Sequence, residues 1–216
     1  MSKKTPVKAP VTKGPAKPAV NKATAKPAVT KATASKPESV TPVQVKPTPP
    51  PAPKEVDLKT AVKLVFDKSD QELNAMNKWA VLVDEAERCG AFFRHRDTRY
   101  VSCYDKSDLG TDKLRLSILS AYFYGTILVI DIMDNLNLLD LFKEACNNIS
   151  NNLFEDIIDK TIVTNENRYK DLIRDSDGEG YLEWKIRNNG GFGVCFLTTK
   201  QEVAAIMPYA VPYIVQ

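Results

Sequence analysis

The sequence predicts an α/β domain whose mostly parallel sheet is covered by helices on both faces. Two continuous apolar runs, residues 79–83 and 126–130, are each followed by an aspartate. Strands that are apolar throughout, rather than alternating, are typical of strands buried on both faces. Patterns with helical spacing separate these runs, and strands that alternate with helices indicate a parallel sheet in three layers.

The predicted elements fall within residues 55–216, a length that suits a single domain. A helix is expected over residues 56–77, with a break near Ser69, because the apolar positions recur at helical spacing. A helix over residues 113–124 is expected to end at Gly125, since glycine readily adopts the left-handed conformation at a helix end. The other expected elements are a helix at 86–93, a strand at 99–104, helices at 138–149 and 154–159, a hairpin-like stretch at 181–186, a strand at 194–197 and a short helix after Thr199.

Residues 1–54 are predicted to form a disordered basic tail. They hold eleven lysines, one acid (Glu38), twelve of the fourteen prolines and no aromatic residue, so their net charge is +10 and that of residues 55–216 is −7. Such a segment has too little apolar mass to offset the entropy of ordering its backbone. A nine-residue unit at 16–24 is repeated almost letter for letter at 25–33. Its prolines favour an extended, partly polyproline II chain.

Lysines spaced along an extended chain suit a flat polyanion better than a shaped pocket. The tail resembles the basic arms of linker histones and also the proline-rich basic segments of microtubule-associated proteins. Its partner is therefore either nucleic acid or the acidic tubulin tails that coat microtubules, and a solubilising linker without a specific partner is a third possibility. The lysines expected to make the contacts are Lys3, Lys4, Lys8, Lys13, Lys17, Lys22, Lys26, Lys31 and Lys36.

Several classes of protein are excluded by the sequence. No apolar run approaches the ~20 residues that cross a bilayer, and no apolar signal segment follows the N-terminal lysines, so neither a membrane protein nor a secreted one is expected. The cysteines Cys89, Cys103, Cys146 and Cys195 form no C-x-x-C pair and are expected to be reduced thiols of an intracellular protein. The single histidine, His95, stands between two arginines, which favours a solvated side chain over a catalytic base or a zinc ligand.

Aspartates after two strands raise the question of nucleotide hydrolysis. The sequence contains no G-x-x-x-x-G-K-[ST] loop, and therefore neither a backbone cradle nor a lysine for the phosphates. Ile132 follows Asp131, where an ATPase of this kind would place a second carboxylate. No enzymatic activity is expected, and Asp84 and Asp131 are interpreted as carboxylates that cap the helices after them.

Two further motifs resemble ligand-binding loops. Residues 175–186 overlay a twelve-residue calcium loop in part, but Ile186 replaces the bidentate glutamate at position twelve. A glycine-rich turn is therefore favoured over a metal site. Residues 190–193, Gly-Gly-Phe-Gly, precede a strand rather than open a helix, which makes them a weak phosphate loop. No catalytic, cofactor-binding or metal-ligating residue is predicted.

Four segments, in matching order, resemble the fifth AAA+ module of the dynein heavy chain. They are the strand and helix over 79–94, the helix, glycine and strand over 116–130, the acidic stretch after that strand, and the closing segments that end in Thr-Thr-Lys at 198–200. The resemblance covers residues 73–208. The family-motif positions are Trp79, Asp84, Phe92, Gly125, Asp131, Thr199 and Lys200.

The resemblance implies a P-loop NTPase-like AAA+ fold that lacks its P-loop, because this module of the dynein ring does not hydrolyse ATP and serves as structure. Glu85 and Ala86 depart from the proline and glutamine that usually follow the first aspartate. No linker, stalk or other ring module fits within 216 residues. A detached, inactive domain of a ciliary protein is therefore expected.

Three functions stay open at this point. The first is a structural protein in the cytoplasm, the cytoskeleton and the axoneme of a cilium or flagellum, whose domain docks on other axonemal proteins while the tail contacts tubulin. The second is a histone-like accessory protein that coats nucleic acid. The third is a domain that keeps a regulatory nucleotide-binding site; no cofactor is predicted.

Overall fold

A computed structural model describes residues 52–67, 70–178, 181 and 191–216. Six strands of this part form one all-parallel sheet with the order β1-β6-β2-β5-β4-β3. The strands are β1 (Lys54–Val56), β2 (Trp79–Val83), β3 (Thr98–Ser102), β4 (Ile127–Met133), β5 (Gly193–Thr198) and β6 (Ala210–Val215). The helices are α1 (Leu58–Asp67), α2 (Gln71–Met76), α3 (Arg88–Arg94), α4 (Thr111–Tyr124), α5 (Leu138–Ile149), α6 (Leu153–Ile158), α7 (Thr161–Thr164) and α8 (Glu166–Lys170).

Each face of the sheet carries its own hydrophobic core, because side chains of a strand point alternately to opposite faces. Trp79, Val81 and Val83 of β2 belong to one core, whereas Ala80 and Leu82 belong to the other. Helices α4 to α8 pack on the first face and helices α1 to α3 on the second. The predicted α/β class, the parallel sheet and the three layers are thereby confirmed.

The face covered by α1 to α3 is held by local caps and aromatic contacts. Asp70 accepts hydrogen bonds from the amides of Glu72 and Leu73, both at 2.9 Å, and so begins α2. Phe93 of α3 is fully buried and its ring centroid lies 6.1 Å from that of Phe66 on α1. This contact joins the two helices across the second face.

Aromatic rings dominate the opposite face. Tyr122 stacks on Tyr169 at a centroid distance of 5.1 Å, and Phe192 lies 5.5 Å from Tyr122 and 6.2 Å from Trp79. The Trp79 indole N–H also donates to the carbonyl oxygen of Ile157 at 2.8 Å. Aromatic groups of this kind supply large buried areas, so this cluster fixes α4 and α6 to α8 on the sheet.

An arginine of α4 is also buried. Arg115 on α4 is 3 % exposed, and it donates to both carboxylate oxygens of Asp177, at 2.6 and 2.9 Å, and to the Leu172 carbonyl oxygen at 2.7 Å. The side chain of Asp177 is 4 % exposed. The pair ties the segment after α8 to the middle of α4.

Most predicted elements are confirmed. Strand β2 has the predicted bounds, α4 ends at Gly125 with φ 64° in the left-handed region, and a break separates α1 from α2. Strand β4 continues three residues beyond its predicted end. Of the predicted hairpin, only Tyr181 lies within the described residues, and its backbone is helical.

The C-terminal part differs from the prediction. The expected short helix after Thr199 is wrong, because residues 204–209 form successive turns that lead into β6. Two strands were not predicted: β6, which contains Pro212, and β1, which begins at Lys54, the last residue of the predicted tail. Proline has no amide hydrogen to donate to a neighbouring strand. Pro212 is tolerated because β1 pairs only with residues 213–215, and Pro212 lies one residue before them.

None of the described helices has the length and apolarity that are needed to cross a bilayer.

Candidate functional site

The carboxyl ends of β2, β4 and β5 form the edge at which open parallel sheets usually bind ligands. Strand β5 lies between β2 and β4, so the edge brings together residues that are far apart in sequence. Asp84 directly follows β2 and Asp131 lies inside β4. Both carboxylates are buried, with residue exposures of 1 % and 5 %.

Asp131 is the centre of a hydrogen-bonded cluster. Its Oδ2 accepts a bond from the Tyr100 hydroxyl and lies 3.5 Å from Nη2 of Arg94, while its Oδ1 accepts from the Met133 amide at 2.9 Å. Arg94 also donates to the Tyr100 oxygen at 3.0 Å, and its guanidinium lies 4.7 Å from the centre of the Tyr100 ring. Burial, together with the hydrogen bond to Asp131, raises the pKa of Tyr100.

Asp84 occupies the N-terminus of α3. Its Oδ2 accepts from the Cys89 amide at 2.5 Å, and Nε of Arg88 lies 3.8 Å from its Oδ1. Burial and the Asp84 charge raise the pKa of the Cys89 thiol to about 12. The predicted capping role of Asp84 is thus confirmed. The same role predicted for Asp131 is wrong, since β4 continues past it and its partners are on α3, on β3 and within β4 itself.

Little space remains between these side chains. Gly90 of α3 allows the close approach, because a Cβ placed there would lie 3.3 Å from the Tyr100 oxygen. The cleft that is left has a volume of about 20 Å³, enough for one water molecule. It is lined by Asp84, Glu87, Gly90, Arg94, Tyr100, Asp131, Met133, Leu197 and Thr199.

The charges around α3 do not suit phosphate. Helix N-termini bind phosphate through free amides and a positive dipole end, but here Asp84 already accepts the Cys89 amide. Glu85 and Glu87 add negative charge on the same turn. In the described ranges, no group of three or more metal-ligating side chains converges on this edge or elsewhere. The edge is therefore filled by two polar groups, Asp131 with Tyr100 and Arg94, and Asp84 at the start of α3.

The remaining family-motif positions have structural contacts. Trp79 is buried beneath Lys160, whose ammonium lies 4.4 Å from the centre of the indole. Thr199 lines the cleft, and its amide donates to the Met133 carbonyl at 3.0 Å. Lys200 and Phe92 lie at the surface, exposed and half-buried respectively.

Two other groups of predicted positions lie wholly or mostly outside the described residues. All nine tail lysines do so, as does most of the calcium-like loop. Of that loop, Asp177 uses both carboxylate oxygens for Arg115, and that contact lowers the pKa of Asp177. An aspartate held in this way is poorly placed to bind calcium.

Arg94 and Tyr100 were not predicted as partners of Asp131. The signal that links them is the register of β3 and β4, which sets Ser102 beside Asp131 and so brings Tyr100 close. No spacing along the chain reveals it.

The sequence matches no protein-family model, and no solved structure matches the chain. The resemblance to a dynein module therefore stays a prediction.

Proposed function

We propose that the chain is a non-catalytic structural protein of cilia or of the microtubule cytoskeleton. In this proposal the folded domain is an inactive AAA+-like module that docks on an axonemal assembly, and the basic tail contacts acidic tubulin surfaces. The observation that carries the non-catalytic part is the closed edge of the sheet. The Asp84 carboxylate already accepts the Cys89 amide hydrogen that a phosphate would need, and the remaining cleft has room for about one water molecule.

The strand order also supports the proposal. If β1 is left aside, the order of the sheet is β6-β2-β5-β4-β3. The first strand in sequence, β2, then lies between the last two, β5 and β6, which is the arrangement expected of an AAA+ module. In such a fold the nucleotide lies beyond the carboxyl end of that first strand, which here is β2. At that position the protein has the cluster of Asp84, Arg94, Tyr100 and Asp131.

The separation of charge supports the role of the tail. Residues 1–54 carry a net charge of +10 and residues 55–216 one of −7. An extended chain with many lysines binds a polyanion mainly through the release of counterions, without reading a sequence. A glutamate-rich tubulin surface satisfies that requirement.

We expect the purified chain to show no ATPase activity above background and no binding of a fluorescent ATP analogue. The physical reason is that the cleft excludes a triphosphate and presents carboxylates to it. Asp131→Asn is the matched variant and should leave the background rate unchanged. Turnover by the natural chain that disappears in Asp131→Asn would favour the regulatory or catalytic nucleotide site instead.

We expect microtubule binding to depend on the charge of the tail. Replacing the nine tail lysines from Lys3 to Lys36 by glutamine should weaken co-sedimentation with microtubules by roughly tenfold or more, because fewer counterions are released. Replacement of the same lysines by arginine keeps the charge and should preserve binding. Microtubules without their acidic tubulin tails should mimic the glutamine variant, and binding should fall steeply as the salt concentration rises past ~0.15 M.

Competition separates tubulin from nucleic acid. Duplex DNA added at equal charge concentration and physiological salt should leave the full-length chain on microtubules. If the DNA displaces it, the nucleic-acid alternative gains support and the microtubule proposal fails.

A further inference from the structure

A groove between α1 and α3, called here the α1–α3 groove, lies on the second face of the domain. Its floor is apolar and consists of Val62, Phe66 and Phe92, and its volume is about 390 Å³. Pockets of this size accommodate a few side chains of a ligand or peptide. Phe66 is 37 % exposed although it is a large apolar residue.

The rim of the α1–α3 groove is basic. Lys59, Lys63 and Arg96 line it, against a single acid, Asp67, which lies 4.0 Å from Lys63. This excess of positive charge occurs on a domain whose net charge is −7. Lys59 and Lys63 are four residues apart on one helix, a spacing at which like charges repel each other. Among the described residues, neither Lys59 nor Arg96 has a salt bridge within 4.0 Å, and the nearby Asp57 carboxylate attracts Lys59.

One of the rim cations is already held in position. The guanidinium of Arg96 lies 4.8 Å from the centre of the Phe92 ring, and that ring contacts the buried Phe93 with a centroid distance of 5.8 Å. A cation held over a ring loses less conformational freedom when it meets an anion. Basic rim and apolar floor are thus presented together on two packed helices.

We infer that the α1–α3 groove binds an acidic peptide segment of a partner protein, with one bulky apolar side chain of that peptide on the floor and its carboxylates on the rim. The chain's own tail is excluded as the occupant because its +10 charge is repelled by the rim. A bilayer is disfavoured because the apolar residues line a concave groove between two helices, whereas membrane-surface helices bury a protruding apolar face. The inference is independent of the proposed tail–tubulin contact.

The test uses the full-length chain and two fluorescein-labelled peptides. One peptide carries a phenylalanine between two runs of glutamate, and the other has alanine in place of that phenylalanine. The groove variant combines Lys63→Glu with Arg96→Glu. The matched control combines Lys106→Glu with Lys170→Glu, which changes the charge equally at exposed positions outside the groove. Because the tail is identical in all proteins, its attraction for glutamate is common to every measurement.

Fluorescence anisotropy at physiological salt should show that the groove variant binds the phenylalanine peptide roughly tenfold or more weakly, a change worth about 1.4 kcal/mol. The control should lose less than about twofold. The alanine peptide should bind the natural chain weakly, and the groove variant should no longer distinguish the two peptides. Equal losses in both variants, or equal affinity of the natural chain for both peptides, would show that the tail alone captures glutamate and would overturn the inference.

Two additional measurements address whether the variants fold and whether the groove binds a membrane instead. Amide chemical shifts of the natural full-length chain should change on α1 and around residues 92–96 when the phenylalanine peptide is added, a result that does not depend on how any variant folds. Vesicles with anionic lipid should bind the groove variant and the control equally. Shifts confined to other elements, or vesicle binding that is lost only in the groove variant, would contradict a peptide site.

Discussion

Replacing Asp177 by alanine is expected to lower the free energy of unfolding by about 3–5 kcal/mol, because the change leaves the buried Arg115 charge without the carboxylate to which it donates two hydrogen bonds. Arg115 donates to both oxygens of Asp177 and is 3 % exposed, and its other ion-pair partner, the exposed Asp112, lies 3.7 Å from its Nε. Urea unfolding of the full-length chain at neutral pH measures the loss. Native domains have only about 5–15 kcal/mol in total, so the variant should be close to unfolding at 37 °C.

The effect should depend on pH in a defined direction. The hydrogen bonds from Arg115, followed by that from the Arg174 amide, hold the pKa of Asp177 below its usual value. A carboxyl whose pKa is lower in the folded state stabilises the protein above its unfolded pKa of about 3.9, and that stability is lost as the pH falls through the folded value. The difference between the natural chain and Asp177→Ala should therefore be constant above about pH 5 and shrink below about pH 4.

An exposed ion pair provides the control. Nζ of Lys170 lies 2.7 Å from Oε1 of Glu166 on α8, and both side chains are about half exposed. Glu166→Ala should cost less than about 1 kcal/mol. The double variant Arg115→Met with Asp177→Leu removes both buried charges and should recover most of the loss. Equal costs for Asp177→Ala and Glu166→Ala would show that the buried pair has no special role.

Trp79→Ala should be the second largest perturbation, with an expected loss of about 3–5 kcal/mol. The change empties the space between the start of β2 and helices α6 and α7, and it removes the hydrogen bond to Ile157 and the contact with Phe192. It also leaves the Lys160 ammonium, whose pKa burial lowers, without the indole ring beneath it. The midpoint of urea unfolding reports the loss if its slope is unchanged.

Two variants calibrate that result. Trp79→Phe keeps an aromatic ring and should lose only part of the stability, about 1–3 kcal/mol for the carbonyl of Ile157 that is left without a donor. Tyr104→Ala removes a ring that is 76 % exposed and should change stability by less than about 0.5 kcal/mol. A loss of that small size for Trp79→Ala would mean that the aromatic cluster does not hold the helices to the sheet.

The buried strands and the helix ends were predictable because their causes are local. Residues 79–83 are apolar at every position, so burial on both faces and the bounds of β2 follow from composition alone. Gly125 ends α4 because a left-handed residue is needed there. Strand β6 was missed because Pro212 interrupts its pattern, and the three residues of β1 are too few to show one.

The candidate site was only partly predictable because its contacts depend on strand order. Asp84 and Asp131 were recognised from their places after apolar runs, whereas Arg94 and Tyr100 reach Asp131 only through the pairing of β3 with β4. The buried ion pair outside that site was predictable in part. Arg115 stands between apolar positions of α4, and a charged residue on a buried face requires a partner, which is Asp177.

The strand order has a consequence for synthesis of the chain. Strand β2 pairs with β5 on one side and β6 on the other, so both neighbours of this early apolar strand are the last two of the described strands to be made. The ribosome adds about 130 residues between the end of β2 and the end of β6, which takes roughly 7–26 s at 5–20 residues per second. Until β5 is made, both edges of this apolar strand lack their partners, and the edge that pairs with β6 stays open until residue 215. Production of this protein should therefore depend on chaperones that hold unfolded chains until translation has passed residue 215.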